Sequence, residues 1–269
     1  MGIFNSALTT INNVGYETDS RSLWVGFEKS TLSGLSFGAM VGAGTSDTDM
    51  DGGLGSVDAD TFGVGLFARA PIGKRGAMQA MVGYQDLSYE SRRNVAIAGS
   101  TANGDTDGSV FLAGLKGSWM MQQGGFNWGP MASLEYYDVS IDGYTETGAG
   151  AFNLTVGDFD TDYTLASVGL QADTQLSSGT NAVKLFGHLA YTTQSGGDSS
   201  PMVAIGALPG SGTAVDGFDD EWLDLGLGVS AMIGRSGKGQ TRIGGKYQGA
   251  LFGDGYESHG VSLFVKSTF

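Results

Sequence analysis

Three groups of residues have the types and spacing to do chemistry. Gly34-Leu35-Ser36-Phe37-Gly38 has the G-x-S-x-G spacing of a serine nucleophile, a motif that works only when a strand–turn–helix elbow lifts the hydroxyl toward a base. His188 and His259, the two histidines of the chain, are the residues that could serve as that base. Asp47-Thr48-Asp49-Met50-Asp51-Gly52, followed by Asp58, has the D-x-D-x-D-G spacing of a calcium loop. The shorter Asp58 stands where a bidentate Glu ordinarily closes the ligand set. Each group has a plainer reading. Ser36 opens an alternating segment after a turn, and neither histidine is near it in sequence. His188 falls on the polar face of a strand and His259 at the start of the last one. The four aspartates suit a solvated acidic hairpin loop flanked by strands. Neither a catalytic residue nor a cofactor is expected.

Composition narrows the choice further. The 269 residues include 47 Gly, 4 Pro and no Cys, with 14 Lys and Arg against 28 Asp and Glu, a formal net charge of −14. Without cysteine there is no disulfide, thiolate zinc site or cysteine nucleophile. The negative balance argues against nucleic acid as a partner, which needs basic stripes. Apolar residues at 41% are nevertheless enough to cover a large surface, so this is not a disordered acidic chain. Residues 1–13 (MGIFNSALTTINN) lack the basic start and apolar run of a signal peptide. No stretch of about 18 apolar residues exists to form a membrane-crossing helix.

The elements that must position any site are strands. Leu223, Leu225, Leu227, Val229, Ala231 and Ile233 alternate with Trp222, Asp224, Gly226, Gly228, Ser230 and Met232; Phe62–Ala68 and Leu35–Ala43 alternate in the same way. A two-residue period over eight to twelve positions is a strand signature. Only 1–14 is ambiguous, since Phe4, Leu8 and Ile11 could also line a short helix. Twelve strands are expected near 3–14, 19–29, 35–45, 60–71, 76–90, 107–121, 126–140, 161–176, 182–194, 219–234, 240–252 and 258–269. Short turns then interleave with long acidic loops at 46–59, 91–106, 141–160 and 195–218.

An even number of antiparallel strands, with turns at one end and loops at the other, is the pattern of an all-β, outer-membrane-type transmembrane barrel of about twelve strands. The apolar face carries almost no charge at strand centres, as lipid contact demands. The opposite face is rich in Gly and Ser with Met40, Met81, Met131 and Met232 as packing residues. It also carries six basic residues (Arg69, Lys116, Lys184, Arg242, Lys246, Lys266) and four acidic ones (Glu28, Glu135, Asp173, Asp224), expected to face the lumen. Tyr84, Trp119, Trp128, Tyr136, Tyr191 and Tyr247 sit near strand ends, as interfacial girdles do.

Two resemblances follow. Val261, Leu263 and Val265 alternate toward a terminal Phe269, which resembles the assembly signal of bacterial outer-membrane barrels, although Ser267 departs from it. The segment YDVSIDGYTETGAGAFNLTV at 137–156 resembles the strand-and-loop signature of autotransporter translocator domains. GYETDSRSLWVGF at 15–27, YESRRN at 89–94 and YESHGVSLFVKSTF at 256–269 are similar to the same family, in order along the whole chain. The resemblance implies one domain over 1–269, the C-terminal barrel of a larger secreted precursor, monomeric and resident in the bacterial outer membrane. It implies a role in secreting and anchoring its own N-terminal passenger. The implied partners are membrane lipid and lipopolysaccharide, the barrel-assembly machinery, the passenger and a linker helix in the lumen. The family carries that helix before the first strand, and this chain starts almost at the strand, as an excised fragment would. The alternative is a small twelve-stranded porin for anionic solutes.

Overall fold

The computed structural model describes residues 2–13, 15–176, 182–197, 201–206, 211–212, 221–236, 239–252 and 256–268. Among them twelve long strands run in chain order: β1 (Gly2–Asn13), β2 (Tyr16–Ser30), β3 (Ser36–Met50), β4 (Gly55–Ile72), β5 (Gly76–Val95), β6 (Ser100–Trp119), β7 (Phe126–Ile141), β8 (Phe159–Leu176), β9 (Val183–Gly196), β10 (Glu221–Ser236), β11 (Gly239–Leu251) and β12 (Tyr256–Thr268). Each pairs antiparallel with its neighbours in sequence, and β1 closes the ring on β12, with Phe4 opposite Val25 on one side and Val265 on the other. The segment that could have been a helix is thus a wall strand. Among the described residues closure leaves the ring no edge strand, which is what allows a sheet to cross lipid.

The pleat sorts side chains onto two faces. On β2, Leu23, Val25 and Phe27 point outward and stay 43%, 48% and 61% exposed, while Trp24 and Glu28 turn inward. The outward apolar row continues through Val41 on β3, Phe62, Val64 and Leu66 on β4, Val82 on β5 and Leu115 on β6. The buried apolar residues, by contrast, are few and mostly small, such as Ala102, Ala190 and Ala250. A fold that shows its large apolar side chains outward and, among the described residues, keeps no large apolar core is built for a lipid solvent.

Inside, glycines make room for aromatic rings lying against the wall. A Cβ added at Gly42 would overlap the Trp24 ring, one at Gly228 the Phe186 ring, and one at Gly244 the Phe264 ring. Each pair is cross-strand, and the missing side chain is the space the ring fills.

The strands reach further than apolar alternation indicates. β3 runs to Met50 and β4 starts at Gly55, so the expected loop 46–59 is largely ladder, turned by a short 3-10 segment at Asp51–Gly53. The expected loop 91–106 likewise shrinks to a turn between Val95 and Ser100. Past the lipid band the outward face needs no apolar residue, so the ladder continues on Ser, Thr and Asp and the signal used to find it stops. The loops 141–160 and 195–218 are not plain loops either. They contribute Tyr144–Thr145, Leu154–Val156, Met202–Ile205 and Ser211–Gly212 to a second, four-stranded sheet.

Candidate functional site

The lumen collects the charges the strands turn inward. Register and pleat place Glu28, Arg69, Lys116, Glu135, Asp173, Lys184, Asp224, Arg242, Lys246 and Lys266 all on the inner face. Two pairs satisfy one another: Lys184 Nζ lies 3.3 Å from Asp173 Oδ2, and Lys266 Nζ 3.1 Å from Glu28 Oε2. Glu135 accepts a 3.0 Å hydrogen bond from the Tyr137 hydroxyl. Asp224 accepts from the Thr192 hydroxyl and, at 3.2 Å, from the Trp222 indole N–H. The acidic side chains are therefore engaged. Arg69, Lys116, Arg242 and Lys246 have no ion-pair partner among the described residues.

The end of the barrel that holds the short turns opens into a cavity of about 900 Å³. Arg69, Lys74, Arg75, Lys116, Lys184, Arg242 and Lys246 line it, against the single carboxylate of Asp173. A smaller cavity of about 330 Å³ on the β2–β6 wall is apolar instead, lined by Trp24, Met40, Phe67, Met81 and Leu112. The lumen thus has one greasy wall and one basic end.

The loop-bearing end carries a strap, residues 142–158, that pairs with the edge of β6 and reaches β5 through side chains. Asn103 and Thr147 exchange backbone hydrogen bonds of 2.8 Å each, and Ala149 packs with Val95 and Ala102. The clasp is Arg93. Its Nε and Nη2 donate to Glu146 at 2.9 and 2.5 Å, and Nη2 also donates to the Phe152 carbonyl at 2.9 Å. The Leu154 N–H donates to Glu146 at 2.7 Å. Burial alone would raise the Glu146 carboxyl; the hydrogen bonds from Arg93 and Leu154 outweigh it and hold the group below the usual carboxylate range. Composition and periodicity did not point to this pair. Its signal was parity: Arg93 is an inward position of β5, and a charge turned inward at a strand end needs a partner. Leu154–Val156 then pairs with Met202–Ile205, tying the strap to the neighbouring loop.

The catalytic and calcium patterns do not converge. The Ser36 hydroxyl, buried on the lumen face, hydrogen-bonds Ser30 at 2.8 Å. His188 lies on the inner face of β9 against Gly226, whereas His259 faces outward, its Nδ1 2.6 Å from the Tyr247 hydroxyl. Asp47 and Asp49 stand on the outer face of β3, Asp51 in the turn, and Asp58 across from Asp47 on β4, 3.6 Å from Arg92. Among the described residues no group of three or more His, Asp or Glu side chains is placed to share a metal. Val261, Leu263 and Val265 face outward on β12, and Phe269 lies outside the described residues.

Comparison with known proteins agrees with this geometry. The model of the family described as "Autotransporter beta-domain" matches residues 1–243. The translocator domain of the autotransporter NalP from Neisseria meningitidis superposes with a TM-score of 0.80 at 16% identity, over 98% of this chain and 86% of that one. The β domain of the Bordetella autotransporter BrkA gives 0.73 at 16% identity, over 100% and 98%. Two curated relatives, the esterases EstA of Pseudomonas aeruginosa and Pseudomonas putida, are each 28% identical over 159 residues, 56% of this chain. The match spans about a quarter (24%) of EstA's own length. A closed twelve-stranded wall, apolar without and with its charges turned within, and a family match over nine-tenths of the sequence lead to one conclusion: the chain belongs to the autotransporter β-domain family and is a translocator barrel of the bacterial outer membrane.

Proposed function

We propose that this barrel exports its own N-terminal passenger to the cell surface and then anchors it there. The observation that carries the reading is the continuous, glycine-lined inner face of the ring, with an apolar wall and a basic end. In a barrel of twelve strands such a lumen has room for a helix or an extended chain; about eight strands would be filled by side chains. A linker segment is the natural resident, with its apolar side on Met40, Met81 and Leu112. In this reading the single barrel domain, residues 1–269, performs no chemistry, and any catalysis belongs to the passenger. Assembly would proceed through the barrel-assembly machinery, with Val261, Leu263, Val265 and Phe269 as the recognised strand, into a leaflet bearing lipopolysaccharide. Deleting Phe269 should lower the yield of heat-modifiable barrel; an unchanged yield removes that role.

The test is surface display. A tagged passenger joined N-terminally should be detected by antibody on intact cells. Detection only after permeabilisation, with the barrel folded, overturns the proposal. The seven-to-one basic lining of the cavity at the turn end favours a second reading, conduction of anionic solutes, which predicts no display in the same assay.

A further inference from the structure

The basic end of the lumen holds more cationic charge than the described residues answer. Lys184 and Lys266 have their carboxylates. Arg242 does not, and it stands directly across the ladder from Lys266, two like charges as nearest neighbours on one face, an arrangement that is unfavourable on its own. Arg69 and Lys116 occupy one row with only Gln79 between them. Lys246 reaches in from β11, on the far side of the ring, close enough to act electrostatically on both Lys116 and His188. Asp224 acts on Lys246 as well, but the two form no ion pair, and the Asp224 oxygens accept from Thr192 and Trp222. Charges of one sign in a narrow, low-dielectric enclosure repel strongly and are poorly screened. An acidic protein gains nothing by gathering unpaired cations there unless an anion meets them.

The layout also describes that anion. The free cations are single groups on opposite walls, each on a strand whose backbone is paired with its neighbours on both sides. They would not grip one compact oxyanion. They suit several negative groups spread along one molecule that spans the cavity. We propose that Lys116, Arg242 and Lys246, with Arg69 toward the turn end, form a binding site for a multivalent carboxylate. Two sources offer that chemistry, the acidic side chains of a polypeptide within the lumen and a free polycarboxylate. Only the first source rests on the translocator reading.

The full chain, refolded in zwitterionic micelles, is titrated calorimetrically with hexaglutamate, with citrate and with hexalysine. Hexaglutamate should bind and hexalysine should not. Binding of citrate with comparable strength identifies a free polycarboxylate as a sufficient ligand, and binding of hexaglutamate alone identifies a polypeptide. The double substitution Lys116→Gln with Lys246→Gln should weaken binding at least tenfold while the barrel keeps its heat-modifiable mobility. If that variant does not fold, Arg242→Gln and the ionic-strength dependence of the parent replace it, and affinity must fall steeply with salt. Binding of neither acidic probe, binding of hexalysine, salt-independent affinity or full affinity in the Gln variants overturns the site. Surface display by the same variants is measured separately, so loss of binding with intact display leaves the export reading standing.

Discussion

Arg93 and Glu146 show what a single pair does in this wall. The Glu146 side chain is 4% exposed and that of Arg93 35%, so removing the guanidinium strands a buried carboxylate that cannot recover its hydration. Arg93→Ala should cost the strap about 2–3 kcal/mol of local closure, below the full penalty for a wholly buried pair because one partner is about a third exposed. The barrel stays folded; the strap opens. On intact cells added protease should cut between 142 and 158 at least tenfold faster in the variant, because cleavage follows the open population. Cleavage at the parent rate would remove the clasp. The pair also sets a pH dependence. The Glu146 carboxyl is depressed in the folded strap, so its contribution is complete above the unfolded value of about 4.3 and is lost as pH falls through the lower folded one. A spin label at Ala151→Cys should be immobile at pH 7 and gain mobility below about pH 4. Constant mobility across that range would contradict the assignment.

At the scale of elements, each strand has two faces with different tolerances, and adjacent substitutions should separate them. Val64 points to lipid and Gln85 to the lumen. Val64→Lys should destabilise the barrel by about 2–4 kcal/mol, the depth-dependent cost of a cation in the hydrocarbon, whereas Gln85→Lys should cost little. Equal losses in urea unfolding would mean the faces are misassigned. Gly228 tests the packing of the inner wall. Its missing side chain is occupied by the Phe186 ring, and Gly228→Val should cost about 1–3 kcal/mol through overpacking, with Phe186→Ala in the same chain restoring part of it. These faces are what alternation reports, and they were legible in Leu223–Ile233 and Phe62–Ala68 alone. Strand ends were not, because on β3 and β4 the ladder passes from apolar to Ser, Thr and Asp without losing a hydrogen bond. The second sheet was illegible for a different reason. Its strands are two to four residues long, too short for a period to register. Inward charges could be read individually from parity, but whether two of them meet depends on stagger around the ring, which no local pattern contains.

Export through the barrel requires one orientation of the whole molecule and one path. The turn at Gly73–Arg75 should face the periplasm, and the hairpin tips at Gly53 and Ile97 the outside. An impermeant maleimide should label Gly53→Cys on whole cells and leave Lys74→Cys unlabelled until the outer membrane is opened; the reverse pattern inverts the barrel. The path is tested most directly by trapping a passenger in transit. Met81 and Val82 are neighbours on β5, one turned to the lumen beside Met40 and Leu112, the other exposed to lipid at 45%. With a stalled passenger bearing cysteines along its length, crosslinking should occur at Met81→Cys and not at Val82→Cys. Crosslinks at Val82→Cys, or none at Met81→Cys while the passenger still reaches the surface, would show that export does not pass through this barrel.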